Sequence, residues 1–179
     1  MRDLALLALL STLASSAVAA PPDVVQPVTQ ADPYVAVPKA SFVADNKHVY
    51  RVVFEARHGA DKPDQLTPAV NMAGTEINTL AAHKVKRANV HFVVVFHTAP
   101  SDDAVLDNTH YRAKYGVDNP NLLALAALKR EGVELYVCGQ ELLADGVPLE
   151  AVSPEVTIVE DGIVVLMTYG SAGYAHLTF

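Results

Sequence analysis

The 179-residue chain carries 20 Asp and Glu against 13 Lys and Arg, a formal charge of −7, with one cysteine and no tryptophan. This acidic balance, without any Lys/Arg cluster, argues against nucleic acid and anionic membrane surfaces as partners. A single cysteine excludes an intramolecular disulfide, so the fold has to rest on its apolar core.

In chain order, MRDLALLALLSTLASSAVAA has the layout of a secretory signal: Arg2, an apolar run from Leu4 to Leu13, then small residues leading to Ala17-Val18-Ala19. Cleavage is expected after Ala19, because cutting after Ala20 would place Pro21 just past the scissile bond. The apolar run is too short to span a bilayer, and no later segment reaches the ~18 to 20 apolar residues that a membrane helix needs. Residues 1–19 therefore read as a signal peptide, and the mature protein as soluble, exported and periplasmic. What remains suits one domain with a proper core.

Residues 20–47 hold prolines at 21, 22, 27, 33 and 38, spaced so that neither helix nor central strand can form. They read as an extended tail or linker whose valines are available for docking, for instance on a partner subunit. The domain proper, 48–179, then alternates. VYRVVFEA (Val49 to Ala56) is β-rich. Pro68 to Lys86 reads as a helix, with Thr67 as N-cap and Pro68 at its first position.

NVHFVVVFH (Asn89 to His97) is a near-continuous apolar run, the pattern of a strand covered on both faces. His97 to Asn119 is a long polar connection, either a flap over a cleft or a solvated loop with a short helix. Asn119 to Gly132 is a helix with Asn119 as cap; Leu122, Leu125 and Leu128 share one stripe, and Gly132 stops it. VELYVC (Val133 to Cys138) is a third strand, GQELLADG (Gly139 to Gly146) a short helix, and VTIVE (Val156 to Glu160) a fourth strand. GIVVLMTYGSAGYAHLTF is β-branched enough for another strand, yet also reads as a helix followed by a last strand. Alternation at this spacing predicts βαβ units: an α/β, three-layer αβα sandwich with a mainly parallel sheet.

In such a sheet, ligands bind beyond the carboxyl ends of the strands. His97 ends the second strand and Cys138 the third, so adjacency of those strands would place both in one cleft. Cys138 directly precedes a helix, whose positive end favours thiolate, while Glu141 opposes it one turn on. Cys138 is thus either a nucleophilic sulfur or a small buried apolar side chain. His97 is either an auxiliary proton carrier or a satisfied strand terminus. The sequence has no HExxH, HxxxH or CxxC spacing and no glycine-rich phosphate loop, so neither a metal nor a nucleotide cofactor is expected.

EGVELYVCGQELLADGV (Glu131 to Val147) resembles the signature of the DsrE/DsrF-like proteins: a Gly-Val pair opens a strand, a cysteine ends it, and a short helix closes with Gly and an apolar residue. VVVFHTAP, YGVDNPNLLALAALKREGV and the closing GSAGYAHLTF are similar to the same group. The resemblance covers about Val49 to Phe179. It implies a flavodoxin-like fold, assembly as homotrimers or homohexamers, and a cysteine at position 138 that carries sulfur as a persulfide between a donor and an acceptor protein. Gly139 and Gln140 adjoin Cys138 in the motif, and geometry makes them candidate binding residues beside it.

Overall fold

The computed structural model describes residues 24–179. The signal peptide and its cleavage site, like tail residues 20–23, lie outside the described residues. Five strands, β1 (Tyr50–Ala56), β2 (Val90–Phe96), β3 (Glu134–Cys138), β4 (Thr157–Val159) and β5 (Ala175–Thr178), form one sheet in the order β4-β3-β2-β1-β5. Every neighbouring pair is parallel. Six helices connect them: α1 (Pro68–Ala82), α2 (Ala99–Asp102), α3 (Asn108–Tyr115), α4 (Asn121–Arg130), α5 (Gly139–Ala144) and α6 (Gly162–Ser171). The fold is the α/β sandwich with a parallel sheet that the alternation predicts.

The order of strands decides where the helices go. From β1 to β4 the chain steps one way across the sheet, and α1, α4 and α5 bury their apolar residues in one core with Phe54, Phe92, Val94 and Phe96. The last connection runs back past the whole sheet to place β5 beside β1. Because parallel crossovers keep one hand, reversing the direction of travel sends the connecting helix to the opposite face. There α6 packs on β1, β2 and β3, and Leu166 joins Val53, Val93 and Val95 in a second, smaller core. Tyr169 fastens α6 further by donating its hydroxyl to Glu134 at 2.7 Å.

Several sequence expectations are refined by the coordinates. The GIVVLMTYGS stretch is helix, because Asp161 caps it by accepting from the Ile163 N–H at 2.8 Å and the crossover has to span the sheet. α1 ends at Ala82, four residues before Lys86, and Lys84 turns the chain at φ 59. Thr67 stands at the N-cap position but makes no side-chain cap bond. Asn119 lies one residue ahead of the N-cap, Pro120; its amide oxygen accepts from Asn121 N at 2.9 Å, and its Nδ2 reaches the carbonyls of Ala104 and Leu106. The connection after His97 contains α2, a 3₁₀ turn and α3, and Asp107 caps α3.

Residues 24–47 form neither helix nor strand, as their prolines require, and their first part straps the outer side of α1. Val28 is fully buried, its N–H donates to Asn78 Oδ1 at 3.0 Å, and Asn78 Nδ2 returns a bond to the Val28 carbonyl at 2.9 Å. One turn-pair earlier on the same stripe, Asn71 exchanges two bonds with Asp32. The strap comes so close that a Cβ on Gly74 would sit 2.4 Å from the Ala31 methyl. Beyond Tyr34 the segment turns outward, and Val37, Phe42 and Val43 are exposed.

Candidate functional site

The topology singles out one crevice. β3 feeds α5 on one face and β4 feeds α6 on the other, so the adjacent β3 and β4 part at their carboxyl ends, which is where parallel sheets hold ligands. Cys138 is the last residue of β3 and stands at this fork. Its side chain shares the α6 face with Val95 and Tyr136, and its Sγ lies 4.0 Å from the Glu160 carbonyl just past β4. The cysteine is 7 % exposed.

His97 follows the last residue of β2, the strand next to β3, so the two predicted residues do meet at one edge. Gly162, the first residue of α6, fits between them. A Cβ placed there would lie 2.9 Å from the Cβ of His97 and 3.2 Å from that of Cys138. Both obstacles are themselves fixed to strand backbone, so neither yields by rotating a side chain. Gly162→Ala is therefore expected to displace the first turn of α6 and to destabilise the protein by about 1–3 kcal/mol in urea unfolding; an unchanged midpoint and slope would refute the close fit.

Glu55 was not singled out by the sequence. It is the penultimate residue of β1, on the same face as Val53, is 8 % exposed, and uses both carboxylate oxygens: Oε1 lies 2.8 Å from His97 Nε2, while Oε2 accepts from Thr178 Oγ1 at 2.7 Å and faces His176 Nε2 at 2.8 Å. Burial pushes this carboxyl up, but the hydrogen bonds from Thr178, His97 and His176 outweigh it and hold it below the usual range. An ionised carboxylate only accepts, so each imidazole must present an Nε2–H to it. A neutral His97 consequently carries its lone pair on Nδ1, the nitrogen that Glu55 leaves free. A charged residue inside a strand otherwise made of apolar residues, VVFEA, was the available signal.

The remaining predicted positions are structural neighbours of the thiol. Gly139 is buried, and a Cβ there would meet the Val159 carbonyl at 2.9 Å; Gln140 is exposed, and its N–H donates to the Glu160 carbonyl at 3.3 Å. Glu141 accepts from Ala99 N at 3.2 Å, which ties α5 to the start of α2. Beside that tie, Asp102 is 3 % exposed and its Oδ2 has no partner among the described residues. Burial and the neighbouring charge of Glu141 push its carboxyl up to about 7. Among the described residues no group of three or more His, Cys, Asp and Glu is arranged to hold a metal ion.

No family model and no curated protein matches the chain. Solved structures share its fold, among them these two. The protein of unknown function MTH1491 from Methanobacterium thermoautotrophicum superposes with a TM-score of 0.52 at 17% identity, over 73% of this chain and 99% of its own. The ychN protein of E. coli does so with a TM-score of 0.53 at 16% identity, again over 73% of this chain and 99% of its own. At such identity the likeness is one of fold: a five-stranded parallel sheet flanked by helices. It covers nearly the whole of both neighbours, so the additional length belongs to this chain.

Proposed function

We propose that the protein is an exported sulfur carrier that holds sulfane sulfur as a persulfide on Cys138. One observation carries this reading: the only thiol stands at the fork between β3 and β4, beside a histidine whose tautomer Glu55 fixes. The DsrE-like character of the cysteine segment points the same way. In the loading step, His97 Nδ1 accepts the thiol proton and the thiolate attacks the outer sulfur of a hydropersulfide donor, R–S–SH. A Cys138–sulfur bond forms, the donor S–S bond breaks, and the donor leaves as a thiolate that takes up the proton. In delivery, an acceptor thiolate attacks the outer sulfur of the Cys138 persulfide and Cys138 leaves as thiolate. One sulfur atom moves with no net oxidation, so no cofactor is required.

A second reading has Cys138 as packing in a non-enzymatic periplasmic subunit or small-ligand-binding module, and the 7 % exposure of the cysteine favours it. Intact-mass measurement after incubation with inorganic polysulfide separates the two: the carrier gains sulfur at Cys138, the packing cysteine does not. Export rests on the signal-like residues 1–19, and a secreted-fraction assay with those residues deleted checks it.

Self-association, as a homotrimer or homohexamer, is supported by α6. Ile163, Val164 and Met167 are 47%, 50% and 60% exposed on the side of the helix turned from the sheet, an apolar stripe of the kind that a second copy covers. Met167→Asp is expected to reduce the assembled mass in sedimentation velocity. A wild-type chain that sediments as a monomer would remove this part of the reading. Among the described residues no helix is long and apolar enough to cross a membrane.

A further inference from the structure

One cavity lies away from the thiol. It has a volume of about 490 Å³ and opens between the outward-turning part of the strap, α1 and the β1/β5 edge of the sheet, within the ~300–1,000 Å³ typical of small-molecule sites. Its floor is apolar: Val52, Phe54 and Phe92 of β1 and β2. One wall is the strap, with Phe42 and Val43. The other is a stripe of α1 that presents Glu76 and Thr79, three residues apart and hence on one helix face.

The chemistry of that wall is specific. Glu76 is half-buried and has no ion-pair or hydrogen-bond partner among the described residues. A carboxylate half withdrawn from water beside an apolar floor lacks both solvation and a counter-charge, which is costly unless something supplies the missing cation. The desolvation is visible in its carboxyl, which burial pushes above the ordinary value. The other polar groups at the rim do not fill the gap: Thr75 Oγ1 is spent on the Asn71 carbonyl, the Tyr50 hydroxyl is engaged with Asp45, and His83, two turns along α1 from Glu76, packs edge-on against Tyr34 and makes no ion pair with Glu76.

The geometry points to this cavity as a binding site for a small amphipathic amine, its apolar body on the Val52–Phe54–Phe92 floor and its protonated nitrogen against Glu76. Thr79 stands one turn along to accept a further N–H. The complementarity is of two kinds at once, apolar area for a chain or ring and an unmatched negative charge for the head, so neither an alcohol nor a carboxylate of the same size satisfies it. The site stands independently of Cys138, which does not line the cavity.

Isothermal titration calorimetry with octylamine, octanol and octanoate on the full mature chain tests the assignment. Octylamine is expected to bind at one site, about tenfold more tightly than octanol, the size of effect a charge-assisted hydrogen bond gives, and octanoate more weakly than either. Glu76→Gln should bring octylamine down to the octanol value while leaving octanol unchanged. Ala40→Phe, on an exposed strap position that lines the cavity, should weaken all three without touching the fold. Equal affinities for octylamine and octanol in the wild type, or an octylamine affinity that survives Glu76→Gln, would overturn the proposal. So would a Phe42→Glu variant that dissociates an oligomer, because the cavity would then belong to a second copy.

Discussion

Cys138→Ser is expected to abolish sulfur uptake completely. The wild-type chain, incubated with polysulfide, should gain the mass of one or more sulfur atoms, and cyanolysis should remove them; the serine variant should gain none. The physical reason is that the sulfur of a hydropersulfide is a soft electrophile for which a thiolate is the only competent nucleophile in this chain, since no other cysteine exists. The effect of His97 should be graded. His97→Ala leaves the thiol but removes the nitrogen proposed to take its proton, so loading should slow by about 10²-fold rather than vanish. The thiol's small exposure makes the rate informative as well. A wild-type chain that never gains sulfur, while its thiol is alkylated readily once denatured, would leave Cys138 as a packing residue and the protein as a scaffold.

The layer order of this fold was legible because each element announces itself locally. Two buried strands read as continuous apolar runs, and α4 carries its leucine stripe between an Asn-Pro start and a Gly stop. Strand order was not legible, because it is decided by contacts between residues far apart in sequence: Val52 to Phe92 on one side and to Ala175 on the other. The assignment of α6 failed to resolve for a different reason. GIVVLMTYGS is apolar on nearly all sides, so its periodicity is flat, and a helix-versus-strand decision then falls to Asp161 as cap and to the crossover it must make. The strap was half-readable. Its prolines exclude regular structure, but the asparagines that seat it, Asn71 and Asn78, are seven residues apart in a helix and look like ordinary polar positions.

The site divides along the same line. Cys138 and His97 were readable as strand ends, because the carboxyl edge of a parallel sheet is where side chains of consequence collect. Whether they meet depended on β2 and β3 being neighbours, and they are. Glu55, His176 and Thr178 come from the first and last strands, whose pairing no local pattern reveals. Gly162 is a wedge only because α6 starts above the β2–β3 seam. What the sequence hid was therefore what surrounds these two strand ends, not their place on the sheet edge.

Asp102→Asn is expected to stabilise the protein strongly at alkaline pH and little at acid pH. The folded carboxyl titrates near 7, raised first by burial and then by the charge of Glu141, with smaller contributions from Asp145 and Asp103 against a weak bond from Ser101, whereas the unfolded one titrates near 3.8. Between those values the folded state holds a proton that the unfolded state has lost. Stability therefore falls as pH rises through this window and stays low above 7. The gap corresponds to on the order of 4 kcal/mol. An amide cannot ionise, so the variant escapes this loss: urea unfolding at pH 8 should show it more stable than wild type by about 2–4 kcal/mol, and at pH 4 nearly equal. A gain of the same size at both pH values would mean that packing, not charge, is what the substitution changes. The location gives the result a further meaning. Asp102 ends the helix that follows His97, and its neighbour Glu141 lies one turn beyond Cys138, so the raised carboxyl sits close to both residues of the proposed sulfur chemistry. Retaining an unsatisfied buried acid there costs stability at neutral pH, and Asp102→Asn offers the direct comparison: a variant that is more stable and loads sulfur as fast as wild type would show that the acid serves no purpose in the transfer.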